Sequence, residues 1–291
     1  MVGPSVQTVI VNFNSGEWLL RAVRSALDCI PGLITVVDNA SSDNSIKELR
    51  VSVLDARLNI IQNTENVGFA AANNQILKNL NTEFIVLMNP DCELESSIWE
   101  LISESMLEDA KIGLAGGRIL NADGSDQKTS KRDFPTLLQA LLHLLGLGRL
   151  FNSDFDRGEE AQQLSLNDSK IEYVDAISGA FMVARSSAVE EVGILDEGYF
   201  MHCEDLDWFK RFWLSGYKVA WVGTAQLMHE KGVSSRARPV RVLWYLHRGM
   251  DRFFCKFEGK KYNLLVRGLI RLGIYLLYLP RALWAIVKKV F

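Results

Sequence analysis

The chain has 291 residues, of which 48% are hydrophobic, so it is long enough to bury a full core and to form one large domain with an appendage. Its formal net charge of −3 excludes a general electrostatic attraction to nucleic acid, and no nucleic-acid partner is expected. The four cysteines lie far apart without a CxxC pair, which excludes the usual cysteine metal sites and favours a reducing, cytoplasmic compartment.

The first 120 residues alternate between strand-like and helix-like patterns. Short, mostly apolar runs predict strands at 6–12, 33–39, 58–63, 83–89 and 112–120. Apolar residues at helical spacing and capping residues predict helices at 15–27, 46–54, 69–80 and 96–109. Strands separated by helices of about ten residues favour right-handed βαβ units and a mostly parallel sheet.

The pattern is weaker after residue 120. A short apolar helix is predicted at 136–151, followed by a strand at 173–185, a helix at 205–216 and a strand at 218–223. After Pro239 the pattern predicts two helices and no strand. The chain therefore divides into a strand-containing part, 1–238, and a helical tail, 239–291.

Four polar clusters follow predicted strands: NFNSG at 12–16, DNASSD at 38–43, QNTENVG at 62–68 and MNPDCE at 88–93. One such cluster alone is more typical of a turn or a helix cap. Four in succession favour a shared polar ligand, because ligands of open parallel sheets bind beyond the carboxyl ends of the strands. The glycine turn of a dinucleotide-binding site and the phosphate loop GxxxxGK[ST] are both missing from the sequence, which argues against an NAD-dependent oxidoreductase.

Asp91 in MNPDCE is a candidate ligand for a hard divalent cation, Mg²⁺ or Mn²⁺, which prefers oxygen ligands. Pro90 would fix the backbone as it leaves the strand and so aim the carboxylate. Cys92 is more typical of a small buried residue than of a ligand. A helix cap before Ser96 is the alternative role for Asp91.

Seven motifs follow one another along the chain: VNFN, VVDNASSD, ENVGFAAANN, MNPD, SGAFMVAR, MHCEDLDWFKR and HEKGVSS. Their order and spacing over residues 5–235 resemble family 2 glycosyltransferases of the GT-A fold, in particular the bacterial rhamnosyltransferase-like branch. The resemblance implies an α/β, Rossmann-like, mixed and mostly parallel sheet flanked by helices, with the tail as a C-terminal helical appendage. It also implies a nucleotide-sugar half at 1–120 and an acceptor half at 121–238.

The resemblance assigns roles to residues around the strand ends. Phe13, where Tyr is usual, would contact the base of the nucleotide, and Asp38 would accept a hydrogen bond from the pyrimidine N3. Asp91 and His229 would hold the cation, with Asn89 in place of the first Asp of the family's acidic motif. The implied nucleotide-sugar-binding residues are Phe13, Asn14, Asp38, Asn66, Gly68, Asn74, Asn89 and Asp91.

Three carboxylates, Glu204, Asp205 and Asp207, cluster at the start of a predicted helix, where the helix dipole favours their ionised form. Glycosyl transfer with inversion needs a base that deprotonates the acceptor hydroxyl. Asp205 is the first choice for this base, Glu204 is the second, and Asp207 is assigned a structural role. Charge complementarity at a helix N-terminus is the alternative explanation of the cluster.

The tail is strongly basic, because the only acidic residues between Arg236 and Phe291 are Asp251 and Glu258. Its longest uncharged stretch, Leu272 to Pro280, is far shorter than the roughly 20 residues that span a bilayer. The pattern favours helices that lie in the membrane interface, with 136–151 as a second contact. Packing on the domain or in a homo-oligomer interface is the alternative.

The function expected from these features is transfer of a sugar, L-rhamnose from dTDP-L-rhamnose as first choice, to a glycan or lipid-linked glycan in the synthesis of cell-surface polysaccharide. The enzyme would be cytoplasmic and peripheral on the inner face of the membrane. One alternative is a hexosyl or galactofuranosyl transferase that uses a UDP-sugar. The alternative from another class is a catalytically silent, membrane-bound sugar-binding module.

Overall fold

The computed structural model describes residues 3–134, 171–230 and 239–290. It has the expected α/β class, with a large mixed sheet between two layers of helices and a second, two-stranded sheet. The strands are β1 Val6–Asn12, β2 Leu33–Asp38, β3 Leu58–Gln62, β4 Phe84–Met88, β5 Cys92–Leu94, β6 Ile112–Leu120, β7 Lys131–Arg132, β8 Ile171–Tyr173, β9 Ala176–Ile177, β10 Phe181–Arg185 and β11 Lys218–His229. The helices are α1 Glu17–Cys29, α2 Ser45–Ser52, α3 Phe69–Leu77, α4 Ile98–Glu108, α5 Ser186–Val192, α6 Glu204–Leu214, α7 Pro239–Phe253 and α8 Leu264–Val290.

Within the described residues, nine strands form one sheet in the order β3-β2-β1-β4-β10-β6-β11-β5, and β8 pairs with β11. The first four strands are parallel. Their register places Asn12 opposite Asp38, and Asp38 opposite Gln62. The polar clusters that follow these strands therefore meet at one edge of the sheet, as ligand-binding residues of open α/β sheets do.

The second half of the sheet brings a late part of the chain to the same edge. Strand β10 is antiparallel to both β4 and β6, and β5 is antiparallel to β11. The pairing of β5 with β11 places His229 opposite Cys92. His229 thus lies next to Asp91, although 138 positions (229 minus 91) separate them in sequence.

Two layers of apolar side chains hold the helices to the sheet. Helices α1, α2 and α4 bury Leu19, Leu49 and Ile102 against one face. Helices α3, α5 and α6 cover the other face. The buried residues of α1 recur at the spacing of a helical stripe, which is the pattern that predicted this helix: Leu19, Ala22, Val23, Ala26 and Cys29.

The prediction of one continuous strand at 173–185 is wrong, because this segment divides into β8, β9 and β10 around a turn at 178–180. The carboxylate of Asp205 lies against this turn, and a Cβ at Gly179 would lie 2.7 Å from Asp205 Oδ2. The strand predicted at 218–223 instead continues to His229, with an irregularity between Val222 and Gln226. The helix predicted at 136–151 and most of the motif HEKGVSS lie outside the described residues.

Further small differences concern helix ends. Helix α2 ends at Ser52 and α3 at Leu77, so the predictions of 46–54 and 69–80 ran past the last helical residue. Helix α6 begins at Glu204 rather than at residue 205. These shifts leave Glu204 and Asp205 at the start of the same helix, and Asn74 inside α3.

The tail begins with α7, continues through a π-helix at Phe254–Glu258 and a 3₁₀ turn at Gly259–Lys261, and ends with α8. The segment 239–262 packs on the loop before α6, and α8 packs on α7. Among the helices that the structure describes, one segment, Leu264–Val287, is long and apolar enough to cross a membrane by length and composition.

Candidate active site

Asn12 joins the ends of β1 and β2. Its Nδ2 donates to Asp38 Oδ1 at 2.8 Å and to the hydroxyl oxygens of Ser41 and Ser45, each at 3.0 Å. Asp38 is 2% exposed and also accepts a hydrogen bond of 2.5 Å from the Ser41 hydroxyl at Oδ1. These bonds fix the carboxylate at the sheet edge, while Oδ2 accepts a longer bond of 3.3 Å from the Ser41 N–H.

Asn14 ties the first strand-end loop to the second. Its backbone is left-handed, with φ of 51°, a conformation that Asn tolerates better than most residues. Its Oδ1 accepts hydrogen bonds from the N–H groups of Ser42 at 2.7 Å and Asp43 at 3.2 Å. The neighbouring Phe13 is half-buried at the same edge.

Gly68 lies at a close approach between two loops. Its φ is 88°, and a Cβ there would lie 2.6 Å from the carbonyl oxygen of Phe200. The N–H of Gly68 donates to Asn66 Oδ1 at 3.0 Å, and Phe69 N–H donates to the Phe200 carbonyl at 2.9 Å. Only glycine fits this backbone conformation and contact, so these residues fix the start of α3 against the loop before α6.

Asn74 has no exposed surface and contacts the chain 121 residues later. Its amide Nδ2 donates to the Leu195 carbonyl at 2.8 Å and to Glu197 Oε1 at 3.0 Å. Its Oδ1 accepts a bond of 3.1 Å from the Leu195 N–H. The side chain thus anchors the loop at 195–197, and its effect on a donor pocket would be through that loop.

Asp91 and His229 meet where β4 and β11 end. The carboxylate is 7% exposed, and His229 Nε2 lies 3.2 Å from Asp91 Oδ1. Oδ1 is buried and accepts no hydrogen bond from the described residues. Asn89 precedes the carboxylate in a turn held by its N–H, which donates to the Ala180 carbonyl at 2.8 Å.

Gln127 holds His229 in place through two contacts. Its Nε2 donates to the His229 carbonyl at 2.6 Å, so its Oε1, 3.2 Å from His229 Nδ1, is left to accept the ring proton there. In a neutral imidazole, Nε2 is then an unprotonated acceptor that faces the Asp91 carboxylate. The contact of 3.2 Å can be bridged by a proton on Nε2 or by a cation that both atoms bind, so the pair can serve as two ligands of a divalent metal ion.

Cys92 completes a group of three side chains whose ligand atoms lie within 4.8 Å of one another, together with Asp91 and His229. Burial raises the pKa of the Cys92 thiol well above its usual value, and the charge of Asp91 raises it further. The thiol donates toward the Ala180 carbonyl at 3.4 Å. A protonated thiol is a poor ligand for Mg²⁺ or Mn²⁺, so within this group of three Asp91 and His229 are the side chains that fit as ligands.

The turn at 178–180 links this pair to the carboxylates of α6. Its Ala180 carbonyl accepts the bonds from Asn89 and Cys92, and its Gly179 contacts the Asp205 carboxylate. The candidate metal ligands and the candidate base therefore lie on two sides of one short turn. That arrangement suits a reaction in which one group binds a leaving group and the other acts on the attacking nucleophile.

Asp205 is 9% exposed and pairs with Arg132 of β7. The guanidinium donates to Asp205 Oδ2 at 2.5 Å and to the Ile177 carbonyl, and Asp205 Oδ1 accepts a bond of 2.8 Å from the Leu206 N–H. Burial alone would raise the pKa of Asp205, but the charge and hydrogen bond of Arg132 outweigh it and lower the pKa. Asp205 is therefore ionised and oriented.

Glu204 has the opposite electrostatic character. Burial first and the charge of Asp205 second raise the pKa of Glu204 to about 8, and Arg132 offsets only part of this rise. Its Oε2 is buried and has no hydrogen-bond partner among the described residues. At neutral pH the pair thus holds one ionised carboxylate, Asp205, and one carboxylic acid, Glu204.

Asp207 has no exposed surface and lies in a network of hydrogen bonds. It accepts bonds from Arg211 Nε at 2.7 Å and from the Tyr199 hydroxyl at 3.1 Å, and Lys256 Nζ lies 2.6 Å from its Oδ2. These contacts agree with the structural role expected for this carboxylate.

Three residues around the site were missed in the sequence. Gln127 and Arg132 lie in a polar segment whose pattern carries no local signal of a site. Lys256 belongs to a basic tail in which no single lysine is distinguished by sequence. Gln127 and Arg132 contact site residues more than 70 positions away in sequence, and Lys256 contacts Asp207, which is 49 positions away. Only the fold creates these contacts.

Comparison with known proteins decides the family. The model of a family described as "Glycosyl transferase family 2" matches residues 8–191, more than half of the chain. The chain belongs to glycosyl transferase family 2. The family predicted from the seven motifs is thereby confirmed, and the protein is a glycosyltransferase by family.

Several relatives of this glycosyltransferase carry names. It is 24% identical, over 82% of its own length and 80% of the relative's, to an N-acetylglucosaminyl-diphospho-decaprenol L-rhamnosyltransferase of Mycobacterium tuberculosis. It is 27% identical to the low-salt glycan biosynthesis hexosyltransferase Agl10 of Haloferax volcanii, over 70% of this chain and 60% of that one. A segment of 56 residues, 19% of this chain and 21% of the relative, is 39% identical to rhamnosyltransferase WbbL of Escherichia coli.

Solved structures confirm the GT-A-like fold. GalNAc-T7 with UDP, GalNAc and Mn²⁺ superposes with a TM-score of 0.58 at 15% identity, over 84% of this chain and half (50%) of that chain. The mannosyltransferase PcManGT of Pyrobaculum calidifontis, in complex with GDP-Man and Mn²⁺, has a TM-score of 0.56 at 14% identity, over 100% of this chain and 76% of that chain. At these identities the likeness concerns the fold.

Proposed function

We propose that this glycosyltransferase moves L-rhamnose from dTDP-L-rhamnose to a lipid-linked glycan, with inversion at the anomeric carbon and with dependence on a divalent cation. The relatives named as rhamnosyltransferases in two bacteria support the choice of sugar, and the decaprenol-linked name of one supports the choice of acceptor. The observation that carries the proposal is the pair of facing atoms, Asp91 Oδ1 and His229 Nε2, 3.2 Å apart beside an ionised Asp205.

Asp91 and His229 would hold Mg²⁺ or Mn²⁺, and a cation bound there would offset the negative charge of the departing nucleoside diphosphate. Asn12 and Asp38 would orient the base, since their hydrogen bonds already fix both side chains at the sheet edge. Phe13, Asn14, Asn66, Gly68 and Asn89 would shape the rest of the donor pocket, and Asn74 would act through the loop that it anchors.

Asp205 would act as the general base. It takes the proton of the acceptor hydroxyl as that oxygen bonds to the anomeric carbon, while the bond from this carbon to the diphosphate oxygen breaks and its electron pair leaves with the diphosphate. Arg132 keeps Asp205 ionised and aimed. Glu204, which is protonated at neutral pH, is suited to donate a hydrogen bond rather than to accept the proton.

The tail would hold the enzyme on the inner face of the membrane, near a lipid-linked acceptor. The exposed face of α8 is a row of large apolar side chains that repeats every three and four residues: Leu265, Leu269, Leu272, Leu276, Leu279, Leu283 and Ile286. In contrast, Arg271 of α8 is turned toward α7 and pairs with Asp251 at 2.7 Å. An apolar face this long fits the lipid boundary.

Contacts along α7 support a helix that lies in the membrane plane rather than across it. Trp244 of α7 packs on Tyr275 and Tyr278, near the middle of α8, with ring centroids 5.9 and 5.5 Å apart. A spanning α8 would carry this middle part, and with it α7 and its charged residues, into the hydrocarbon core. An in-plane helix keeps α7 on the water side.

Flotation with liposomes that contain anionic lipid tests the membrane part of the proposal. Leu276→Glu places a charge in the centre of the apolar face and is expected to reduce flotation strongly. Leu54→Glu is the matched control, because Leu54 is 95% exposed but lies outside the tail. Equal flotation of both variants would contradict membrane binding through α8, and a dimer that Leu276→Glu dissociates would assign the face to a second copy instead.

The donor is tested by incubating the purified enzyme with a panel of sugar nucleotides and measuring nucleoside diphosphate release. A UDP-hexose as donor is the second candidate, favoured by the hexosyltransferase among the relatives. Release of dTDP above release of UDP supports the first choice, and the reverse supports the second. A silent sugar-binding module would bind a nucleotide sugar and release no nucleoside diphosphate.

A further inference from the structure

The turn that leads into the two carboxylates has a strained backbone. His202 and Cys203, which directly precede Glu204, both have a φ of 68°. Residues other than glycine rarely adopt this left-handed conformation. Histidine tolerates it better than cysteine does, and for both residues it persists where the surrounding structure imposes it. The position of Glu204 and Asp205 therefore depends on whatever holds these two residues.

Helix α7 packs directly on this turn. Gly249 lies so close that a Cβ there would be 2.8 Å from the His202 carbonyl oxygen and 3.2 Å from Cys203 Sγ. A side chain at 249 would push the helix away from the turn. Because Gly249 has no side chain, the backbone of α7 packs directly against both left-handed residues.

Lys256, in the π-helix after α7, joins the two sides of the turn. Its Nζ lies 2.9 Å from Asp196 Oδ2, before the turn, and 2.6 Å from Asp207 Oδ2, in the first turn of α6. Arg252 adds a second cation, 2.8 Å from Asp196 Oδ1. One lysine thus bridges both ends of the segment that carries the candidate base, and one of its partners, Asp207, is fully buried.

The same segment also touches the donor side of the site. Tyr245 of α7 stacks on Phe200 with ring centroids 4.4 Å apart, and the Phe200 carbonyl accepts the bond from Phe69 at the start of α3. A shift of the loop at 196–203 would therefore change both the base and the contact at Gly68.

We propose that residues 239–262 are a positioning element of the catalytic site, and that Lys256 is a positioning residue that holds the turn before Glu204 and Asp205 in its strained conformation. The first part of the tail is then part of the catalytic unit, and α8, clamped to it through Asp251 and Arg271, is the separable part. This inference rests on the proposed function where it concerns catalysis.

The test compares Lys256→Met with Lys256→Arg and with the control Lys260→Met, which removes an exposed lysine four residues later. Buried Asp207 keeps Arg211 as a partner at 2.7 Å, so Lys256→Met is expected to fold. We expect kcat for nucleoside diphosphate release to fall about 10-fold or more, since base geometry acts on the transition state. KM for the donor should rise by a smaller factor, because the loop that Lys256 holds also contacts the start of α3. Lys256→Arg should recover most of the rate.

Hydrogen exchange measured by mass spectrometry gives a readout that does not need turnover. Peptides covering 196–207 should exchange faster in Lys256→Met than in the wild type or Lys260→Met, while peptides of β1 and β4 should be unchanged. This signal would stand even if no sugar nucleotide is a substrate, so failure of the proposed function and failure of the positioning role are distinguishable.

Two results would overturn the proposal. One is unchanged exchange at 196–207 in Lys256→Met, whatever its activity. The other is a loss of rate that disappears after correction for the folded fraction, which would make Lys256 a residue of general stability. If Lys256→Met does not fold, Gly249→Ala replaces it, because one added methyl group meets the His202 carbonyl and should give the same pattern.

Discussion

Replacement of Glu204 by Gln tests the electrostatics of the carboxylate pair. Burial and the charge of Asp205 raise the pKa of Glu204 from 4.5 to about 8. Between these two pH values the unfolded chain loses the Glu204 proton and the folded protein keeps it. The free energy of unfolding of the wild type should therefore fall as pH rises through this window. Below the window the folded and unfolded states are both protonated at Glu204, and this loss of stability does not occur.

The size of the effect follows from one proton per molecule. One proton corresponds to at most about 1.4 kcal/mol per pH unit. The decrease in the free energy of unfolding between about pH 5 and pH 8 therefore has an upper limit on the order of 4 kcal/mol. Gln resembles the protonated acid in shape and cannot ionise. Glu204→Gln should thus match the wild type near pH 5 and be more stable than it near pH 8.

Urea unfolding at several pH values measures this difference. The wild type minus Glu204→Gln is the quantity to compare, because histidine titration is common to both proteins and cancels. Asp109 and Asp196, whose pKa values are lowered to about 2, change the pH dependence of stability only in more acidic solution. Glu108→Gln is the control, since it removes an exposed carboxylate of α4. A difference that stays constant from pH 5 to pH 8 would refute the raised pKa.

Three further outcomes are expected. In steady-state assays, Asp205→Asn should lower kcat by roughly 10²-fold or more without changing donor affinity, whereas Glu204→Gln should lower kcat by less than about 10-fold. A larger loss of kcat in Glu204→Gln than in Asp205→Asn would make Glu204 the base. Mn²⁺ at about 100 times its Kd should stabilise the wild type by about 2.7 kcal/mol and so raise its melting temperature, and Asp91→Ala should lose this rise. An equal rise in both proteins would place the ion elsewhere. Truncation after Asn263 should reduce flotation and lower the melting temperature in part, because it removes the contacts of α8 with Asp251 and Trp244. Truncation near Arg238 should lower the melting temperature further, because it also removes Lys256; equal melting of both forms would contradict the packing of 239–262.

The last expectation changes the boundary that the sequence suggests. Position 238 looks like the end of a domain, because every predicted strand precedes it. From the contacts of Gly249 and Lys256 we propose that 239–262 belongs to the same folded unit as the sheet. A basic amphipathic helix has the same sequence pattern whether its cations face solvent, lipid or a buried aspartate, so the pattern could not place this boundary.

The sequence predicts the part of the fold that depends on local patterns. The strands that end at Asn12, Asp38 and Met88 were predicted within a residue or two, because each is a short apolar run between polar turns. Prediction from the sequence failed where tertiary contacts decide the conformation. The turn at Ser178 interrupts an apolar run because Asp205, distant in sequence, occupies the space beside Gly179.

The candidate site shows the same division. Motif spacing identified Asp91, His229 and Asp205, and the fold brings Asp91 and His229 together. The partners that set their chemistry, Gln127 and Arg132, are outside every motif. Their effects, an imidazole held in place and an ionised carboxylate, depend on distances of about one hydrogen bond, which no sequence pattern encodes.

The central claim, metal-dependent glycosyl transfer, is tested most directly by nucleoside diphosphate release from dTDP-L-rhamnose, with a lipid-linked glycan as acceptor. The wild type should release dTDP when Mg²⁺ or Mn²⁺ is present and lose most of this activity with a chelator, and Asp91→Ala should be inactive in both conditions. Release by the wild type at the same rate with the chelator, or by Asp91→Ala at the wild-type rate, would contradict the account.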